Sequence, residues 1–335
     1  MKRCGTCYQV ANVGLRVGVD SPELLDHADA LLGRFRMSRC HSSQVWTLNL
    51  RYGRLTTGGD RDGTRRIWSG MVPPGFAATN YAGPEYRRLE LTGLGRVEVD
   101  LRRRRAVITL RSPDQAQKSG YFLMAVLCAG LTRSGHFPLH AACLAMPTER
   151  GFRGVLIVAR SGTGKSTTSF ALTSAGWKLM GDDLALLCRT EQGLAVWGYP
   201  RVCHVRRPTL DLLPWLRELP LRRSNLENTS ELPFAALGDR GFGPQPCPLK
   251  PAMVLVLERP NGTGHRCERL DPVSALAAIC QENVQPIEGC RDVDARETFA
   301  SLADLVRQTP AYLLSVGPKL DSIGDFLLSE TGAGQ

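Results

Sequence analysis

Apolar and polar residues alternate from Tyr8 to Val19, the period of a half-buried strand. Ser21-Pro22-Glu23-Leu24 then opens a helix, with Ser21 placed to cap it and Pro22 at its first position. Short runs at Val45–Leu50, Tyr86–Leu91, Arg96–Leu101 and Ala106–Leu110 predict further strands. Turn residues separate them, among them Thr57-Gly58-Gly59-Asp60 and Leu94-Gly95. Tyr121–Thr132 is apolar nearly all round, which predicts a buried helix.

From His136 the pattern changes. His136–Leu144 reads as a strand, and Gly154–Val158 as a strand buried on both faces. A helix over Ser166–Ser174 and a strand over Lys178-Leu179-Met180 follow, the strand ending at Gly181-Asp182-Asp183. Residues 206–250 hold Pro208, Pro214, Pro220, Pro233, Pro244, Pro246 and Pro248, and predict a long irregular segment: a lid, a substrate loop or a disordered stretch. Met253–Leu257 predicts a strand, Pro272–Cys280 and Asp292–Thr309 helices, and Ala311–Val316 a closing strand. The expected organisation is a smaller β-rich α+β part over residues 1–118 and an α/β domain over residues 119–335.

Composition narrows the setting. With 335 residues, 43% of them hydrophobic and 22% charged, the chain has the balance of a globular protein. The net charge of +10 comes from Arg residues spread along the chain, with no basic stripe interleaved with aromatics, so no nucleic-acid partner is expected. The one tight run, Arg102–Arg105, fits a hairpin turn where charge discourages edge pairing. The 11 cysteines sit mostly among apolar neighbours, as small buried hydrophobes of a reducing compartment do. Cys4-Gly5-Thr6-Cys7 has only Cys40-His41 to complete a zinc set, and reads better as a coincidental or redox pair. Tyr121–Leu131 is too short to span a bilayer, so a cytoplasmic protein without a membrane partner is expected.

The chemistry concentrates at Ala159-Arg160-Ser161-Gly162-Thr163-Gly164-Lys165-Ser166, between a strand and a helix. That is the setting of a P-loop, although Ala159 stands where the strict pattern has Gly. Gly162 and Gly164 free the backbone to turn its N–H groups inward around phosphate. The helix N-terminus adds positive potential there. Ser161, Gly162, Thr163, Gly164, Lys165, Ser166 and Thr167 are therefore the expected nucleotide-binding residues, with Lys165 bridging phosphates and the Ser166 hydroxyl on Mg²⁺. At Asp182-Asp183, one carboxylate can hold the metal and its neighbour accept a proton from an attacking hydroxyl. His140, on the preceding strand, can orient such a base.

His140-Ala141-Ala142, Ser161–Ser166 and Gly176–Asp183, in that order and spacing, resemble the catalytic domain of HPr kinase/phosphorylase and its relatives that phosphorylate serine in peptides, including lasso-peptide precursor kinases. The resemblance is strongest over residues 135–190. It implies a P-loop kinase domain of the HPr kinase/phosphoenolpyruvate carboxykinase type on a mixed sheet flanked by helices. It implies ATP with Mg²⁺ as phosphate donor, and a peptide or protein serine as acceptor. By position it makes Lys165 and Asp182 catalytic, Asp182 as the general base supported by His140, and places Ser166 and Asp183 at the metal. The family's Glu-x-Arg-Gly-x-Gly signature is replaced by Leu194–Arg201, including Gly198-Tyr199-Pro200, which argues against the phosphorylase reaction. Arg160 and Lys250 are further cations that can face the transferring phosphate. Family members assemble into oligomers, so a homo-oligomer is an option. Two other readings stay open: a nucleotide-binding regulator without transfer chemistry, and a phosphoenolpyruvate carboxykinase-like enzyme. The first part is expected to dock a substrate or partner.

Overall fold

Alternation builds the first compact unit, which comprises Met1–Gly135 with Pro286–Arg296. The computed structural model describes residues 5–40, 44–55, 64–72, 75–224, 228–242, 248–259, 262–283 and 293–332. The run read as one strand from Tyr8 is a hairpin, β1 (Thr6–Val10) and β2 (Val13–Val19). The chain turns at Ala11, whose φ is +52°. Helix α1 (Pro22–Leu32) follows, with Ser21 at its cap and Leu24, Ala28 and Leu32 on its buried face. Then come β3 (Arg36–Met37), β4 (Gln44–Tyr52), β5 (Arg65–Val72), β6 (Phe76–Gly83), β7 (Tyr86–Leu91), β8 (Gly95–Asp100), β9 (Arg105–Leu110) and α2 (Gly120–Thr132).

Nine strands form one sheet in the order β3-β1-β2-β4-β9-β8-β7-β6-β5. β4 runs parallel to both β2 and β9; the other pairings are antiparallel. Trp46, Leu48 and Leu50 are buried along β4 with polar residues between them, the period-2 pattern of a sheet with one face on the core. Arg102–Arg104 form the turn between β8 and β9, as their charge suggested. β5 and β6 escaped the sequence reading because Arg, Ser and Gly dilute the apolar pattern of β5, and Ala, Thr and Asn that of β6. Helix α2, expected with the second domain, belongs to the first unit, where it packs on β8, β9 and α1. The turn expected at Thr57–Asp60, and Cys4 and His41 of the discounted zinc set, lie outside the described residues. No helix among the described residues is long and apolar enough to cross a membrane.

The second unit comprises His136–Gln285 with Glu297–Gln335. Its elements are β10 (His136–Leu139), β11 (Ala142–Thr148), β12 (Gly151–Ala159), α3 (Lys165–Ser174), β13 (Lys178–Gly181), β14 (Ala185–Thr190), β15 (Gly193–Gly198), β16 (Cys203–Arg206), α4 (Arg207–Leu212), β17 (Arg222–Arg223), β18 (Thr229–Leu232), β19 (Pro251–Glu258), β20 (Arg266–Leu270), α5 (Pro272–Asn283), α6 (Val293–Gln308, here from Glu297), β21 (Ala311–Ser315) and α7 (Ile323–Thr331). The six-stranded sheet β13-β11-β12-β19-β21-β20 is mixed: β19 is parallel to β12 and β21, and the remaining pairs are antiparallel. One of its faces buries Val155, Ile157, Met253 and Leu255 against Phe170 and Leu172 of α3 and Ile323 and Leu327 of α7. Helix α5 and the antiparallel sheet β10-β14-β15 also pack on its strands. The unit is thus α/β, a mixed sheet flanked by helices.

Two expectations need correction here. Residues 206–250 are not one irregular segment, because β16, β18 and β17 form a small antiparallel sheet whose Val205 and Leu232 enter the main core. Pro208 serves inside the first turn of α4, where a missing N–H costs nothing. Lys250 stands just before β19, where its carbonyl accepts the Gly154 N–H at 2.9 Å. The glycine-rich loop leaves β12 only after Ala159, five residues further on, about 16 Å away at roughly 3.3 Å per residue. Lys250 therefore sits at the wrong end of the sheet to reach that loop.

Candidate functional site

Strand β12 is apolar to Ala159, and helix α3 begins at Lys165. Between them the backbone takes φ of +82° at Gly162 and +109° at Gly164, values a β-carbon disfavours. The Gly164 carbonyl still accepts the first helical hydrogen bond, from Thr168 at 2.9 Å. Ser161, Gly162, Gly164, Lys165, Ser166 and Thr167 line one cleft of about 350 Å³. Thr163 is the exception and lines a neighbouring depression with Val256 and Ala278.

His140 does not lie on a strand. The ladder with β14 ends at Leu139 and the ladder with β12 begins at Ala142, so His140 falls at the bend where the chain passes from one sheet to the other. Its backbone N–H donates to Asn283 Oδ1 at 2.6 Å, from the last turn of α5. Gln281 of the same turn accepts from Arg160 at 3.1 Å. The end of α5 thus fastens both the bend and the start of the glycine-rich loop.

Strand β13 delivers Asp182 and Asp183 to the same cleft. It does so past a very close crossing: a Cβ on Gly198 would stand 2.3 Å from the Gly181 nitrogen and the Met180 carbonyl carbon. Gly198→Ala should therefore cost about 1–3 kcal/mol of stability by overpacking and shift both carboxylates. Denaturant unfolding of the variant checks this, and an unchanged midpoint would count against so tight a crossing.

The two carboxylates experience opposite electrostatics. Asp182 is only 5% exposed. Its Oδ2 accepts from the Ser166 hydroxyl at 3.2 Å, while its Oδ1 is buried without a hydrogen-bond partner. Burial first, and then the charge of Asp183, push its carboxyl up to about 6, against the opposing pull of Lys165 and Ser166. Asp183 is a third exposed. Burial pushes it up too, but the His140 hydrogen bond and the charges of Lys165 and Arg201 outweigh that and hold it well below the usual carboxylate range. Lys165 Nζ stands 2.8 Å from Asp183 Oδ1 and 3.2 Å from His140 Nε2, and His140 Nδ1 stands 3.1 Å from Asp183 Oδ1. With its proton on Nδ1, the ring donates to Asp183 and accepts from the ammonium at Nε2.

Apart from Lys250, the residues expected at the site from sequence lie at or beside this cleft. The sequence reading missed Arg201, which pairs with Asp183, and Thr209, whose hydroxyl meets that of Thr167 at 2.8 Å. Arg201 directly follows Gly198-Tyr199-Pro200, so the departure from the family signature was itself the available signal. Asn283 had none. Among the described residues no three His, Cys, Asp or Glu side chains converge to hold a metal ion. A divalent cation at Asp182 and Ser166 would complete its shell with phosphate and water, as Mg²⁺ commonly does. An unpartnered buried carboxylate oxygen beside a hydroxyl fits such an ion. Among known proteins, no family model and no curated sequence matches the chain.

Proposed function

We propose that this protein is a kinase of the P-loop type that transfers the γ-phosphate of ATP, with Mg²⁺, to a serine hydroxyl of a peptide or protein. The observation that carries the reading is the division of labour between two adjacent carboxylates at the two ends of the Lys165–Ser166 step. Asp182 and Ser166 are the residues that would hold Mg²⁺, which neutralises charge on the phosphates when bound. Asp182 is too buried to meet an acceptor. Asp183 lines the open side with His140 and Arg201. The roles implied by the family resemblance are therefore exchanged: Asp182 serves the metal, and Asp183 orients the acceptor hydroxyl and takes up its proton.

A loose phosphoryl transition state places little demand on base strength, so a carboxylate with a low pKa suffices there. Lys165 and Arg201 flank Asp183 and face the place where charge builds on the transferring group. The loop's inward N–H groups hold the remaining phosphates. Incubation with ATP, Mg²⁺ and serine-bearing peptides, followed by mass spectrometry, tests this reading. A gain of one phosphate on serine that disappears in Asp183→Asn is expected. Release of free phosphate with no modified acceptor across a broad peptide set would count against it.

A further inference from the structure

We propose that Arg201–Thr209 is the second wall of the nucleotide track and that His204 and Arg206 form the subsite for its nucleoside half. The inference rests on the phosphate-binding reading of the glycine-rich loop and extends it to the part of the ligand the loop cannot read.

The segment lines the same cleft as the loop. At one end Arg201 pairs with Asp183; at the other Thr209 bonds Thr167. Between them β16 shows strict alternation. Cys203 and Val205 are buried in the core, while His204 and Arg206 are exposed and line the same cleft as Lys165 and Ser166. The ladder to β18, from Cys203↔Leu232 to Arg206↔Thr229, holds this wall in place.

The direction of a bound triphosphate follows from the loop. The lysine of such a loop reaches the β- and γ-phosphates, and the backbone amides cradle the α- and β-phosphates. The terminal phosphate then lies at the Lys165–Asp183–Arg201 end. The nucleoside lies at the opposite end, past Thr167, where Arg206 and Pro208 border the cleft. An imidazole and a guanidinium both present flat faces, and flat faces stack on a base of any sequence.

Binding of Mg·ATP and of magnesium with inorganic tripolyphosphate, measured on the full chain, tests the assignment. Arg206→Ala and His204→Ala should each weaken ATP on the order of tenfold, the scale of one lost stacking face, and change tripolyphosphate less than about twofold. Arg206→Lys keeps the charge but loses the plane, and should weaken ATP as Arg206→Ala does. If the wild type binds both ligands and the variants weaken both equally, or neither, the subsite is wrong and the phosphate site stands. If the wild type binds neither ligand, both readings fall together.

Discussion

Replacing Asp182 with Asn should make the protein more heat-stable and, at the same time, cost on the order of 10²-fold in Mg²⁺-dependent turnover of ATP. The stability gain follows from the raised pKa. A carboxyl that titrates near 3.8 when unfolded and at about 6 when folded prefers its proton in the folded state. Below about pH 4 the group is neutral in both states and costs nothing. As pH rises through 6 the folded chain must carry a buried anion, and stability is lost. The shift of about two pH units corresponds to about 3 kcal/mol at 1.36 kcal/mol per unit. Asn removes that charge. Melting temperatures of wild type and variant should coincide near pH 4 and diverge by several degrees, in favour of the variant, at pH 7–8. A variant that melts lower than wild type at pH 8, or that keeps full turnover, would contradict this account of Asp182.

Lys165→Met carries the second large effect. The ammonium is only 10% exposed and sits 2.8 Å from Asp183. On the proposed reading it is the side chain that meets the β- and γ-phosphates, and loss of such a charge-assisted contact weakens binding by roughly 10²–10³-fold. A second consequence is independent of any ligand. Lys165 lowers the pKa of both aspartates, so without it Asp182 should titrate still higher, and the stability loss that begins near pH 4 should continue to higher pH and grow larger. Lys165→Arg should not rescue, because a planar fork replaces a point charge in a slot closed by His140 and Asp183. Equilibrium binding and pH-dependent melting read the two effects separately. Unchanged ATP affinity in Lys165→Met would remove the basis for the phosphate site.

What could be read from sequence was what is local. Gly162, Gly164, Lys165 and Ser166 lie within five residues, and their meaning depends only on the strand before and the helix after. Asp182-Asp183 at a strand end is local in the same sense. The errors came where a pattern continues through a break. Tyr8–Val19 reads as one alternating run, yet its apolar positions shift from even to odd numbers at Ala11-Asn12, where the chain folds back. His136–Leu144 stays apolar while the chain changes sheets at His140. The rest was illegible because it depends on distant partners. Asn283 reaches His140 across 143 residues and Thr209 reaches Thr167 across 42. The small sheet around β16 exists through its pairing with β18, and neither run is long enough to show a period. The described prolines of that region open helices, as Pro208 and Pro214 do, or stand between elements, as Pro220 and Pro233 do, and their density hid the strands.

On the proposed reading, the cleft between the glycine-rich loop and Asp182 grips a triphosphate together with a divalent cation. Calorimetric titration of ATP into the wild-type chain, with and without Mg²⁺, tests it most directly. Saturable binding that strengthens markedly with Mg²⁺ and vanishes in Lys165→Met is the predicted result. No heat of binding at millimolar ATP, or equal affinity with and without the metal, would contradict it.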